Sequence, residues 1–63
     1  MRIEEVATNV TEHFIVFGHD DTELGVIHYD DNYGHWGFSP NQYTESITAA
    51  ELRFIADELE ARG

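Results

Sequence analysis

The chain contains no cysteine, no lysine and a single proline, and its longest uninterrupted apolar run is Phe14-Ile15-Val16-Phe17. Without cysteine, disulfide staples and thiolate zinc sites are both excluded, and the redox compartment cannot be read from thiol usage. Four apolar residues in a row fall far short of the ~20 that span a bilayer, so no membrane helix is expected. The N-terminal Met-Arg-Ile-Glu-Glu has no basic flank leading into an apolar stretch, and the sequence therefore reads as a soluble, cytoplasmic protein. Lacking lysine, it sets only Arg2, Arg53 and Arg62 against thirteen Asp and Glu, for a formal charge of −10 with neutral histidines. Such a chain repels nucleic acid and anionic lipid and is drawn to basic surfaces.

Sixty-three residues make one domain. A chain of this length hides only about 60% of the surface its unfolded form exposes, so its core is thin. With 41% hydrophobic and 13% aromatic residues, it nevertheless has enough to bury and should fold.

The C-terminal segment carries the clearest structural signal. In Ile47-Thr48-Ala49-Ala50-Glu51-Leu52, Thr48 can cap the first amides of a helix while Glu51 reaches back to the amide of Thr48, with Ile47 and Leu52 as a hydrophobic staple. From Ala49 to about Ala61, Leu52, Ile55, Ala56 and Leu59 recur at helical spacing and predict the buried face, with Gly63 just past the end. Phe54 then projects to the outer face beside Ala50 and Ala61, where two readings stand: strand twist or the N-terminal segment wraps over it, or it centres a self-association or partner surface, as in a homodimer.

Upstream, β-branched and aromatic residues predict strands over 13–18, 23–29 and 35–38, separated by the turns His19-Asp20-Asp21-Thr22 and Asp30-Asp31-Asn32-Tyr33-Gly34. The N-terminal segment is ambiguous. Ile3, Val6, Ala7 and Val10 fit a helical face, yet the β-branched content and the need to cover a sheet edge favour a strand over about 2–8. The expected fold class is α+β: a small antiparallel meander of three to four strands with one C-terminal amphipathic helix packed on one face.

Chemical constellations are sparse. The stretch Gly18 to Asp31 holds two clusters of histidine with carboxylates, but consecutive turns of a meander lie at opposite ends of the sheet, roughly 20–25 Å apart, and cannot share one ion. Each half offers too few convergent ligands for zinc or calcium, and His28 reads as an ordinary strand residue. A Ser–His–Asp trio could be assembled from Ser39 or Ser46, but a chain with four histidines and thirteen acids yields such trios by chance. The aromatic set Tyr29, Tyr33, Trp36, Phe38 and Tyr43 lacks the basic groove that strand-stacking proteins need. Trp36 and Phe38 are expected in the core and the tyrosines at its rim. No catalytic residue, metal or cofactor is expected.

Charge is the remaining lead. A duplex presents one negative charge per ~1.7 Å of its axis. A compact chain of this length has a radius of gyration near ~11 Å and a long dimension of roughly 30 Å. Ten or so carboxylates along it would be spaced about 3 Å apart, within a factor of two of DNA. The candidates are Asp20, Asp21 and Glu23 in one turn, Asp30 and Asp31 in the other, Glu45 before the helix, and Asp57, Glu58 and Glu60 on its outward side. In size and charge the whole chain resembles the small acidic phage-encoded proteins that mimic DNA, among them several anti-CRISPR proteins, although no motif carries the likeness. The resemblance implies an inhibitor, acting in the host cytoplasm, that occupies the DNA-binding face of a CRISPR effector complex or another defence nuclease. The competing expectation is a small interaction module from a salt-loving or GC-rich organism, acidic so that its surface stays hydrated.

Overall fold

A computed structural model describes residues 1–9 and 11–63. Four strands, β1 (Arg2–Ala7), β2 (Glu12–Phe17), β3 (Glu23–Asp30) and β4 (His35–Pro40), precede one helix, α1 (Ala49–Arg62). Each strand pairs antiparallel with the next, giving a meander of order β1-β2-β3-β4, and α1 packs against β4. The N-terminal segment is thus a strand; Val10, part of the competing helical pattern, lies outside the described residues. The Cα radius of gyration is 11.5 Å and the longest extent 30 Å, as the scaling for a compact chain anticipates.

Alternation assigns the faces. Phe14 pairs with Ile27, which pairs with Phe38, while Val16 pairs with Ile3 on one side and Gly25 on the other. These residues therefore point toward the helix. Val6, His13, Ile15, Val26, His28, Gly37 and Ser39 point to the opposite, uncovered face. The core is thin, as expected: Val16, Leu24, Ile27 and Ile55 are buried, with Ile3, Phe14, Trp36, Phe38, Ile47, Phe54 and Leu59 packed around them.

Leu24 belongs to that core because of a register shift between Val16 and Phe17, opposite Glu23 to Gly25. Strict alternation from Ile27 and Gly25 would place Leu24 on the open face. The extra residue of the bulge turns it inward instead.

The helix begins as its sequence predicts. The Thr48 hydroxyl accepts from the Glu51 amide at 3.1 Å, and Glu51 Oε1 accepts from the Thr48 amide at 2.9 Å, the reciprocal capping box. Its buried face differs from the expectation. Ile55 and Leu59 face the sheet, but Leu52 is 52% exposed and Ala56 is exposed. Phe54, placed on the outer face by the hydrophobic pattern, instead packs against the core, so it does not centre an exposed self-association patch.

The helix is turned by roughly 80° from the face that apolar residues alone define, at 100° per residue. Polar side chains explain the turn. Glu51 is buried at one end of the inward line, and at the other the Arg62 guanidinium lies 4.0 Å above the Phe14 ring while donating to the carbonyl and carboxylate of Glu58. Both Glu51 oxygens accept hydrogen bonds, while Arg62 bonds through Nη1 and keeps a buried Nε with no hydrogen-bond partner, its guanidinium held inward by the Phe14 ring. Phe54→Ala is accordingly expected to destabilise the fold by about 1.5–3 kcal/mol. Leu52→Ala should stay within ~0.5 kcal/mol of the parent; urea unfolding of both variants checks this phase.

Candidate functional site

The acidic side chains separate into engaged and unengaged groups. Arg2 donates to Asp21 at 2.8 Å and to Glu4 at 2.7 Å, and its guanidinium also covers the Phe17 ring. That bond holds the Asp21 carboxyl below its ordinary range, and the two carboxylates push the Arg2 pKa upward. Glu58 is paired with Arg62. Glu23 accepts from the Asn41 side chain at 2.8 Å, and Asp30 accepts from the Asn32 amide at 2.9 Å, pinning its turn. Among the described residues, nine carboxylates lack a cationic partner: Glu5, Glu12, Asp20, Glu23, Asp30, Asp31, Glu45, Asp57 and Glu60.

Their distribution follows the meander. Asp20 and Asp21 occupy the β2–β3 turn with φ of 59° and 61°, a left-handed conformation that Asp adopts more readily than most residues. Asp30 and Asp31 occupy the β3–β4 turn, closed by a bond from the Gly34 amide to the Asp30 carbonyl at the opposite end of the sheet. Glu45 lies in the connection before α1, and Asp57 and Glu60 are exposed on the helix. The structure thus gathers the candidate acids at both sheet ends and on the outer side of α1, not in one row, except that Glu58, expected on the outward side, is half-buried against Arg62. The interior of the open face carries none: by alternation Glu4, Glu23 and Asp30 reach it only at its margins.

Glu51 is the carboxylate whose role sequence reasoning captured only in part. Besides capping α1, its Oε2 accepts from the His19 amide at 3.0 Å and lies 3.3 Å from the His19 ring Nδ1. These donors, led by the Thr48 and His19 amides, hold its pKa down at about 2. Glu51 therefore ties the start of the helix to the β2–β3 turn. Gly18 accommodates it, since a Cβ there would collide with Glu51 Oε2.

A cleft of about 580 Å³ draws on both sheet faces, with His13, Val26 and His28 from the open face and Glu12, Tyr29 and Trp36 from the other. His13 and His28 are cross-strand partners, and His28 Nε2 lies 2.8 Å from Ser39 Oγ. Sequence spacing of 11 residues gave no hint of that Ser–His contact; the β3–β4 register creates it. No side chain among the described residues holds the other nitrogen of His28, so the pair lacks the third, orienting group of a hydrolytic triad. Nor does any group of three His, Asp or Glu among the described residues converge as a metal site. No helix among them is long and apolar enough to cross a membrane. Compared with protein-family models, curated proteins and solved structures, the chain finds no match.

Proposed function

We propose that this chain is a non-catalytic, cytoplasmic binding protein that occupies a basic, nucleic-acid-binding surface of another protein, in the manner of a DNA mimic. A CRISPR effector complex or another phage-defence nuclease is the class of target. The observation that carries this reading is the set of nine carboxylates without cationic partners on a body 30 Å long. At low salt their mutual repulsion opposes folding, and a cationic cleft would relieve it while releasing counterions from both surfaces. Affinity should then fall steeply as salt rises.

The structure sharpens the choice of variants. Asp21, Asp30 and Glu58 make local bonds, so neutralising them mixes binding with folding. Asp20, Asp31, Asp57 and Glu60 have exposed side chains with no such bond, and Asp20→Asn keeps a residue type suited to the left-handed backbone. In a competition assay with DNA and defence nucleases, the parent chain is expected to displace DNA in dilute buffer. Changing these four residues to Asn or Gln should weaken displacement by at least tenfold while leaving the circular dichroism unchanged.

The spread of acids over both sheet ends and the helix favours a second reading, in which the charge serves only as a hydrated coat in concentrated salt. On that reading the chain is molten in dilute buffer, gains stability as KCl approaches molar levels, and displaces no DNA.

A further inference from the structure

The segment Asn32 to Thr44 contains no Asp, Glu, Lys or Arg. It is the longest acid-free stretch of the chain and holds β4 with two strongly exposed flanking tyrosines, Tyr33 (75%) and Tyr43 (81%). We propose that the outer edge of β4 is a homodimer interface, in which two copies pair β4 antiparallel across a two-fold axis at Gly37.

The register supplies the geometry. The Asn41 amide donates to the Leu24 carbonyl at 2.7 Å, which makes Leu24 and Asn41 a hydrogen-bonded position of the β3–β4 ladder. Such positions alternate along an antiparallel pair. His35, Gly37 and Ser39 therefore direct their backbone groups inward to β3, while Trp36 and Phe38 direct theirs to the free edge. A side-chain contact at this edge agrees: His35 Nδ1 lies 3.1 Å from the Trp36 carbonyl oxygen, which keeps a second lone pair for another donor.

A two-fold axis at Gly37 sets Trp36 opposite the partner's Phe38 in reciprocal backbone hydrogen bonds, with an aromatic cross-strand pair on each side of the axis. The contact is isologous and closed, so it stops at a dimer. Charge selects this edge over the other. β1 carries Arg2, Glu4 and Glu5, and antiparallel self-pairing there would bring like charges together. Two chains of charge −10 can approach with least repulsion where neither presents a carboxylate, and an interface core depleted of charge and enriched in Tyr and Trp fits that patch.

Gly37 provides the test, because a Cβ there would meet nothing closer than the His35 ring at 3.9 Å. The folded monomer should accept Gly37→Ala and Gly37→Asp alike. Sedimentation of the parent and of Gly37→Ala is expected to give twice the 7.2 kDa chain mass at micromolar concentration. Gly37→Asp, which sets two carboxylates face to face at the axis, should give a single chain with unchanged circular dichroism. The amides of Trp36 and Phe38 should exchange at least tenfold more slowly at high protein concentration than at low. Dimerisation should also strengthen with salt, opposite to docking on a basic cleft, so either idea can fail alone. A parent that is monomeric throughout, a Gly37→Asp variant that remains dimeric, or edge amides whose exchange ignores concentration would each overturn the proposal.

Discussion

Replacing Glu51 with Gln or Ala is expected to lower the melting temperature more than any other single carboxylate change, by on the order of 10–20 °C. Its two oxygens accept from the Thr48 amide, the Thr48 hydroxyl and the His19 amide. Truncation to Ala leaves part-buried donors without a partner at both the helix start and the β2–β3 turn, which costs more than the lost bonds themselves. Gln keeps the length but offers one acceptor oxygen where the carboxylate offers two. Its amide nitrogen would face an N–H donor.

Acid adds a second signature of this residue. The folded carboxyl sits at about 2 against an ordinary 4.5, so the stabilisation it contributes is fully present above the ordinary value. It is lost as pH falls from there toward 2. Asp21, held below its ordinary range by the Arg2 hydrogen bond, contributes with the same sign, so the comparison with a Glu51 variant isolates the Glu51 share. The gap between parent and Glu51→Gln should therefore close between about pH 4.5 and 2. Thermal melts of both proteins across this range measure it, and a gap independent of pH would contradict the assigned bonds. Gly18→Ala drives a methyl group into Glu51 Oε2, so its effect should be strongly non-additive with Glu51→Gln.

Gly25→Ala is expected to leave the chain largely unfolded or molten at 25 °C. Gly25 lies opposite Val16 beside the bulge and opposite Pro40 in β4. A Cβ there would collide with the Ser39 carbonyl oxygen, and would sit 2.8 Å from Pro40 Cα and 2.9 Å from Phe38 Cζ. Two of these obstacles are backbone atoms, which cannot swing aside as a flexible side chain would. Overpacking of this kind costs about 1–3 kcal/mol or more. A domain this small rarely holds more than ~3–5 kcal/mol from its core, so one methyl group consumes most of the margin. Loss of near-ultraviolet dichroism with partial retention of the far-ultraviolet signal is the expected result, and a cooperative melt within a few degrees of the parent would refute it. Gly37→Ala, two strand positions from Ser39 on open ground, serves as the tolerated comparison.

Features that depend on neighbours a few residues away were legible from the sequence. Thr48 and Glu51 face each other within one helical turn, so the capping box needs no tertiary partner. The Asp- and Gly-bearing turns and the β-branched and aromatic runs likewise give the meander, and the acid content is evident at once. What escaped the pattern was the rotation of α1. A hydropathy reading counts Leu52 as inward and Glu51 as outward, and cannot know that the His19 amide waits beneath the helix to bind that carboxylate.

Sequence alone therefore determined the α+β class, the helix start, the excess of negative charge and the absence of thiol chemistry, each a matter of composition or of contacts within a few residues. Tertiary structure decided that Phe54 packs inward while Leu52 stays exposed, and that Leu24 enters the core through a bulge. It also decided which acids are engaged and which remain without partners, and it set Ser39 against His28. These outcomes depend on strand register and on the docking of a helix over a sheet, where atoms distant along the chain compete for the same space.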